Sequence, residues 1–142
     1  MMKLDSRKFS QVAYSALLAL KQDLKVKTPT EKNPEDKYYK KASGLVQGLP
    51  AYISTWGLHR LSGDMKKFEN GKADDTKYKG KVYRMFLQNL KDFSQENDFD
   101  VEKESSLINM ELRKYTGLNH LAIQLAKEWS FWAGAVLGEA EG

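Results

Sequence analysis

Apolar residues recur at three- and four-residue spacing through nearly the whole chain, and this pattern restricts it to helices. The spacing predicts a first helix starting at Asp5 or Ser6, both good N-caps. Phe9, Val12, Ala13, Ala16, Leu17, Leu20 and Leu24 form its buried face. The opposite face carries Arg7, Gln11, Tyr14, Leu18, Lys21 and Lys25, so Tyr14 and Leu18 mark a contact surface among basic residues. The helix ends at Lys27-Thr28-Pro29. Asn33-Pro34 reads as N-cap and first residue of a second helix, with Tyr38, Ala42, Leu45, Leu49, Tyr52, Ile53 and Trp56 on its apolar face. Pro50 falls inside this pattern; it has no N–H for the Val46 carbonyl and is expected to kink the helix.

Gly57 marks a break before a short third helix carrying Leu58, Leu61, Met65 and Phe68. Ser62-Gly63 weakens that helix, since Gly costs about 1 kcal/mol relative to Ala in a helix interior. After a polar loop at Asn70-Gly71, a fourth helix presents Tyr78, Val82, Met85, Phe86, Leu90 and Phe93. An acidic loop over 95–100 leads to a short fifth helix over 101–112, burying Leu107, Ile108 and Leu112. Thr116 is the expected N-cap of the last helix, whose stripe is Leu118, Leu121, Ala122, Leu125, Trp129, Trp132, Ala133 and Val136. Phe131 points away from that stripe, and Gly138 stops the helix. Runs of alternating β-branched residues are lacking. The expected architecture is all-α: a compact bundle of five to six helices, the second kinked at Pro50, forming a single helical domain over 1–142.

Composition narrows the function classes. A chain of 142 residues that is 41% hydrophobic can bury one core. It has no cysteine, which excludes disulfides, thiolate metal sites and cysteine nucleophiles. Its apolar stretches are too short to span a membrane, and Met1 to Phe9 holds no signal-peptide core, so a cytoplasmic location is expected. The net charge of +4 is unevenly distributed. Residues 1–91 carry 19 basic and 9 acidic side chains, a net +10, whereas residues 92–142 carry 4 and 10, a net −6. The first part can attract phosphate backbones and the second a basic partner, although lysines also simply keep helices soluble.

Catalytic motifs are missing. The glycines lack both phosphate-cradling spacings. His59 and His120 have Gly63 and Gln124 at the i+4 position, which excludes a helical two-histidine zinc site. Asp98, Asp100, Glu102 and Glu104 alternate like a metal loop but lack the central Gly and terminal Glu spacing of an EF-hand. They read as an exposed acidic loop. No catalytic residue, metal or cofactor is expected. Basic and aromatic residues interleave at Lys37-Tyr38-Tyr39-Lys40-Lys41, Lys77-Tyr78-Lys79 and Lys81-Val82-Tyr83-Arg84. Such mixtures suit nucleic acid, and they equally suit tyrosines packed beneath lysine stems. Packing is favoured for Tyr38 and Tyr78; Tyr14, Tyr39 and Tyr83 are the freer candidates.

Two segments carry a family resemblance: Leu49-Pro50-Ala51-Tyr52-Ile53-Ser54-Thr55-Trp56-Gly57-Leu58-His59-Arg60-Leu61, and Leu112-Arg113-Lys114-Tyr115-Thr116-Gly117-Leu118-Asn119-His120-Leu121-Ala122 continuing through Trp129. With the N-terminal helix, they resemble the small α-helical subunit of the type III-B (Cmr) CRISPR effector complex. The Leu-Pro followed by Gly-Leu, and the Tyr-Thr before a final amphipathic helix, are the shared marks. Ser62-Gly63 and Trp56 depart from that pattern, where the family has an apolar run and a smaller polar residue. The resemblance implies a non-catalytic subunit in antiviral defence. It would stack beside the guide-RNA filament and meet the backbone subunits, the large polymerase-like subunit, further copies of itself, and guide and target RNA. Membranes have no part in that role. The charge distribution places the RNA-facing surface on Arg7, Lys21, Lys25, Lys40, Lys41, Arg60, Lys66, Lys67 and Arg84, as phosphate contacts with little sequence preference. Two other readings stay open: a free-standing helical adaptor that binds protein without RNA, and an enzyme whose site is assembled from distant helices.

Overall fold

The computed structural model describes residues 6–24 and 34–139, with the side chains of residues 6, 34–37, 74 and 75 left out. Lys25 and the expected caps Asp5 and Asn33 lie outside the described residues. Seven helices are described: α1 (Ser6–Asp23), α2 (Pro34–Gln47), α3 (Leu49–Trp56), α4 (Leu58–Glu69), α5 (Asp74–Ser94), α6 (Ser105–Ile108) and α7 (Leu112–Leu137). There is no strand among the described residues. The 26-residue α7 packs against α1, α2 and α3. The hairpin of α4 and α5 closes the other side through contacts of α5 with α1, α2 and α7.

The chain therefore forms more helices than five or six, and the bend expected at Pro50 is a boundary between α2 and α3. Proline cannot donate to the Val46 carbonyl, so the regular ladder stops before it. The chain turns at Gly48, whose N–H donates to the Gly44 and Leu45 carbonyls at 3.2 Å each. Pro50 then occupies the first turn of α3, where its missing N–H costs nothing.

At the other end of α3, Gly57 adopts φ +89°, and α4 begins immediately after it. A Cβ at Gly57 would lie 2.6 Å from the Tyr115 hydroxyl, so both conformation and space require glycine. Trp56, expected on the core face, is instead 53% exposed, because Leu49 and Ile53 fill the core below it.

Trp129 of α7 is fully buried at the centre, with its ring edge-on to Phe86 at 5.2 Å. Its Nε1–H donates to Asn89 Oδ1 at 2.9 Å, and the Asn89 amide reaches back to the Val12 carbonyl. One indole thus joins α1, α5 and α7 and leaves none of those polar atoms unpaired.

Further expectations shift. α7 starts at Leu112, four residues before Thr116, because the Glu111 carboxylate accepts from the N–H groups of Arg113 and Lys114. The fifth helix expected over 101–112 shrinks to the single turn of α6; Ile108 and Leu112 are exposed, and Phe99, Val101 and Leu107 are buried instead. The buried face of α2 is Tyr39, Ala42, Ser43 and Val46, rotated one residue from the expected stripe. In α5 the face widens to Val82, Tyr83, Phe86, Leu87 and Leu90, since neighbours press on it from two sides. Tyr39 and Tyr83, read as freer, are therefore core residues, while Tyr14 and Phe131 are exposed as expected.

In Gly57→Ala, forced left-handed backbone and the clash with Tyr115 are expected to lower unfolding free energy by about 3 kcal/mol. In Gly117→Ala, where a Cβ meets open space, the change is expected to be neutral or stabilising by up to about 1 kcal/mol. Ser62 is fully buried with no partner for its hydroxyl, so Ser62→Ala is expected to add about 1 kcal/mol. Urea unfolding of the three variants reads all of these, and equal midpoints for Gly57→Ala and wild type would contradict the first.

Candidate nucleic-acid interface

Of the nine basic residues picked from the sequence, Lys25 lies outside the described residues and the other eight are spread over α1, α2, α4 and α5. Arg7 is exposed on the first turn of α1. Lys21, half-buried, stands 5.3 Å over the Tyr39 ring, which brings it beside the α2 segment holding exposed Lys40 and half-buried Lys41. Arg60 and Lys67 are both exposed and seven residues apart on α4, so they share one helix face. Lys66 and Arg84 form a third group, and both are engaged by carboxylates.

Arg84 of α5 is held in a fork. The Glu69 carboxylate at the end of α4 accepts from its Nε and, at 2.8 Å, from its Nη2, while Glu102 from the acidic loop accepts from Nη1. Lys66 adds a longer pair to Glu102 at 3.5 Å. Hydrogen bonds donated to Glu69 and then to Glu102 push the guanidinium further up, and the hydrogen bond from Arg84 holds the Glu102 carboxyl below its ordinary value of 4.5. The loop behind Glu102 is pinned by buried Phe99 and Val101 and by the Lys114–Asp98 ion pair at 2.6 Å. The loop comes from the acidic part of the chain and lies on the basic part. Arg84 and Lys66 thus already have anionic partners.

A second constellation lies at the α3–α4 corner. The Leu58 N–H donates to Asn119 Oδ1 at 2.8 Å, and His59 Nδ1 lies 2.7 Å from the Tyr115 hydroxyl. Two residues of α7 therefore tie down the start of α4, where the N–H groups of Leu58 and His59 meet Asn119 and Tyr115 in place of a helical carbonyl. This corner holds Trp56 outward, with the Arg60 guanidinium 5.1 Å from its ring centroid. Asp64, one turn after Arg60, accepts instead from the Tyr52 hydroxyl. Burial, and then that hydrogen bond, push the Tyr52 hydroxyl well above its usual range.

A third exposed feature is aromatic. Tyr14 and Leu18 of α1 are exposed, Tyr14 packs edge-on to Trp132 of α7 at 5.7 Å, and Phe131 is 71% exposed beside it. A small groove of about 240 Å³ lies between the end of α1 and α5, lined by Asp23, Glu69, Lys81, Arg84, Met85 and Gln88. No group of three or more potential metal ligands occurs among the described residues. No helix there is long and apolar enough to cross a membrane.

Sequence reasoning missed Glu69, Glu102, Tyr115 and Asn119. Asn119 carried a signal: it lies three and four residues from Ala122 and Tyr115 on an apolar face, where a polar group requires a partner. Glu102 carried none, because its partners come from two other elements. No protein-family model, curated protein or solved structure matches the chain.

The depressed Glu102 carboxyl gives the loop contact a pH dependence. Its contribution is present above the ordinary carboxylate range and is lost as pH falls through the depressed value. The Arg84 side-chain Nε–H signal in NMR spectra is expected to move in that acid range, and Glu102→Gln to remove the share of the titration due to Glu102. A Glu102 that titrates at the value of a free glutamate would contradict the fork.

Proposed function

We propose that this chain is a non-catalytic small subunit of a type III-B CRISPR ribonucleoprotein effector, acting in the cytoplasm beside the guide and target RNA. The observation that carries this reading is the meeting of the two segments on which the resemblance rests. Leu58 and His59 of the first hydrogen-bond to Asn119 and Tyr115 of the second. Residues that look unrelated along the chain thus share one structural role, as shared family marks without catalytic chemistry should. The exposed cations Arg60 and Lys67 supply phosphate contacts, and the Tyr14, Leu18 and Phe131 face suits a protein neighbour such as a backbone subunit.

The exposed aromatic face alone also fits a free-standing adaptor that binds protein without RNA. Purification of the tagged chain from its own cells separates the two readings. The proposed role expects guide RNA, backbone subunits and a polymerase-like large subunit to co-elute through a moderate salt wash. Recovery of a protein partner without any RNA would overturn it.

A further inference from the structure

Resting on the RNA-linked reading above, we infer that Trp56, Arg60, Gly63 and Lys67 form a binding track for single-stranded nucleic acid, with an unpaired base stacked on Trp56 and phosphates on Arg60 and Lys67. Trp56 is 53% exposed, whereas Trp129 is fully buried and Trp132 is half-buried against Tyr14 and Phe131. An indole left in water at a rigid corner is an unusual use of a large apolar side chain. Gly57 and Tyr115 fix the corner, so little ordering is lost when a ligand stacks there.

The charges point to an anionic strand. Arg60, 5.1 Å from the indole centroid, and Lys67 are both exposed. Among the described residues, neither is in an ion pair, in contrast to Lys66 and Arg84. Asp64, one turn after Arg60, is turned to the Tyr52 hydroxyl, and Glu69, two residues after Lys67, is turned to Arg84. Arg60 and Lys67 are two helical turns apart, about 10 Å. That distance matches roughly three nucleotides of a stacked strand at about 3.4 Å each.

Gly63 lies between the two cations on the same face, exposed, and a Cβ there would meet nothing within 4 Å. Packing does not require this glycine, and its absent side chain leaves the helix surface low enough for a sugar–phosphate backbone to lie along it. A duplex would not expose a base to the indole, so the ligand class is single-stranded RNA or DNA.

Titration of the full chain with eight-nucleotide oligo(A) and oligo(U), followed by tryptophan fluorescence, tests the track. Quenching is expected in the wild type, and the Trp56→Phe variant should lose most of it. Trp56→Ala should weaken binding roughly ten-fold by anisotropy of a labelled oligonucleotide. Arg60→Gln and Lys67→Gln should each lower the salt slope by about 0.7. Gly63→Glu, which places a carboxylate in the track without crowding the helix, should abolish binding with circular dichroism unchanged. Wild-type affinity in Trp56→Ala and Gly63→Glu, or quenching that persists in Trp56→Phe, would overturn the inference. So would quenching by RNA-free protein subunits and not by oligonucleotide. Co-elution with a guide-RNA complex combined with an inert Trp56 would sink the track alone; oligonucleotide binding at Trp56 without such co-elution would sink the subunit reading alone.

Discussion

The left-handed turn at Gly57 is the constraint from which the arrangement of the surface follows. Its φ of +89° sends α4 back along α5, so that Leu58, Leu61 and Met65 reach the core. The same turn leaves Trp56 facing outward. Tyr115 occupies the space a side chain at residue 57 would need, and its hydroxyl meets His59; Asn119 takes the Leu58 N–H. A helix start that would otherwise leave orphan N–H groups is thereby satisfied by a neighbouring helix, without a capping side chain of its own. The cost of the left-handed backbone, about 1–3 kcal/mol for other residues, is avoided because only glycine can occupy the position.

The all-helical architecture was legible because each long helix repeats its apolar spacing many times. In α1 and the turn that ends it, the expected residues Ala13, Ala16, Leu17, Leu20 and Leu24 are the buried ones. Errors fall where a single local rule had to decide. Thr116 competed with Glu111 for the start of α7, and a charged carboxylate bonded to two N–H groups won over a hydroxyl placed further along. Tyr39 differs because the buried face of α2 is rotated by one residue, and Tyr83 because α5, pressed from two sides, buries a face wider than one stripe. The candidate surface was less legible. Net charge along the chain identifies cations but cannot say which of them the fold pairs.

Arg84 and Lys66 illustrate that limit. Along the sequence, a basic first part and an acidic last part divide at residue 91. In the structure, Glu102 crosses that division and sits on Arg84 and Lys66. Exposed ion pairs contribute only about 0–1 kcal/mol each. The loop is held chiefly by burial of Phe99 and Val101, and the charges set where its acidic side chains rest. The fold thereby divides the cations more finely than the charge along the chain does. Cations facing the acidic loop are occupied, and those on the outer face of α4 are not.

The glycines of the α4–α5 hairpin separate packing demands from other demands. A Cβ at Gly80 would fall 2.8 Å from Glu69 Cγ and 3.1 Å from the Glu69 backbone nitrogen, so the close approach of the two helices requires glycine there. At Gly63 a Cβ meets nothing, and φ is not in the left-handed range, so neither packing nor backbone conformation explains the residue. The adjacent Ser62 adds a buried hydroxyl with no partner. Together they burden one short helix with two unfavourable choices of about 1 kcal/mol each. Local rules broken without a structural return concentrate at functional positions. Gly63 lies between Arg60 and Lys67 on the exposed face of α4, so the choice of glycine there leaves the surface between the two cations without a side chain.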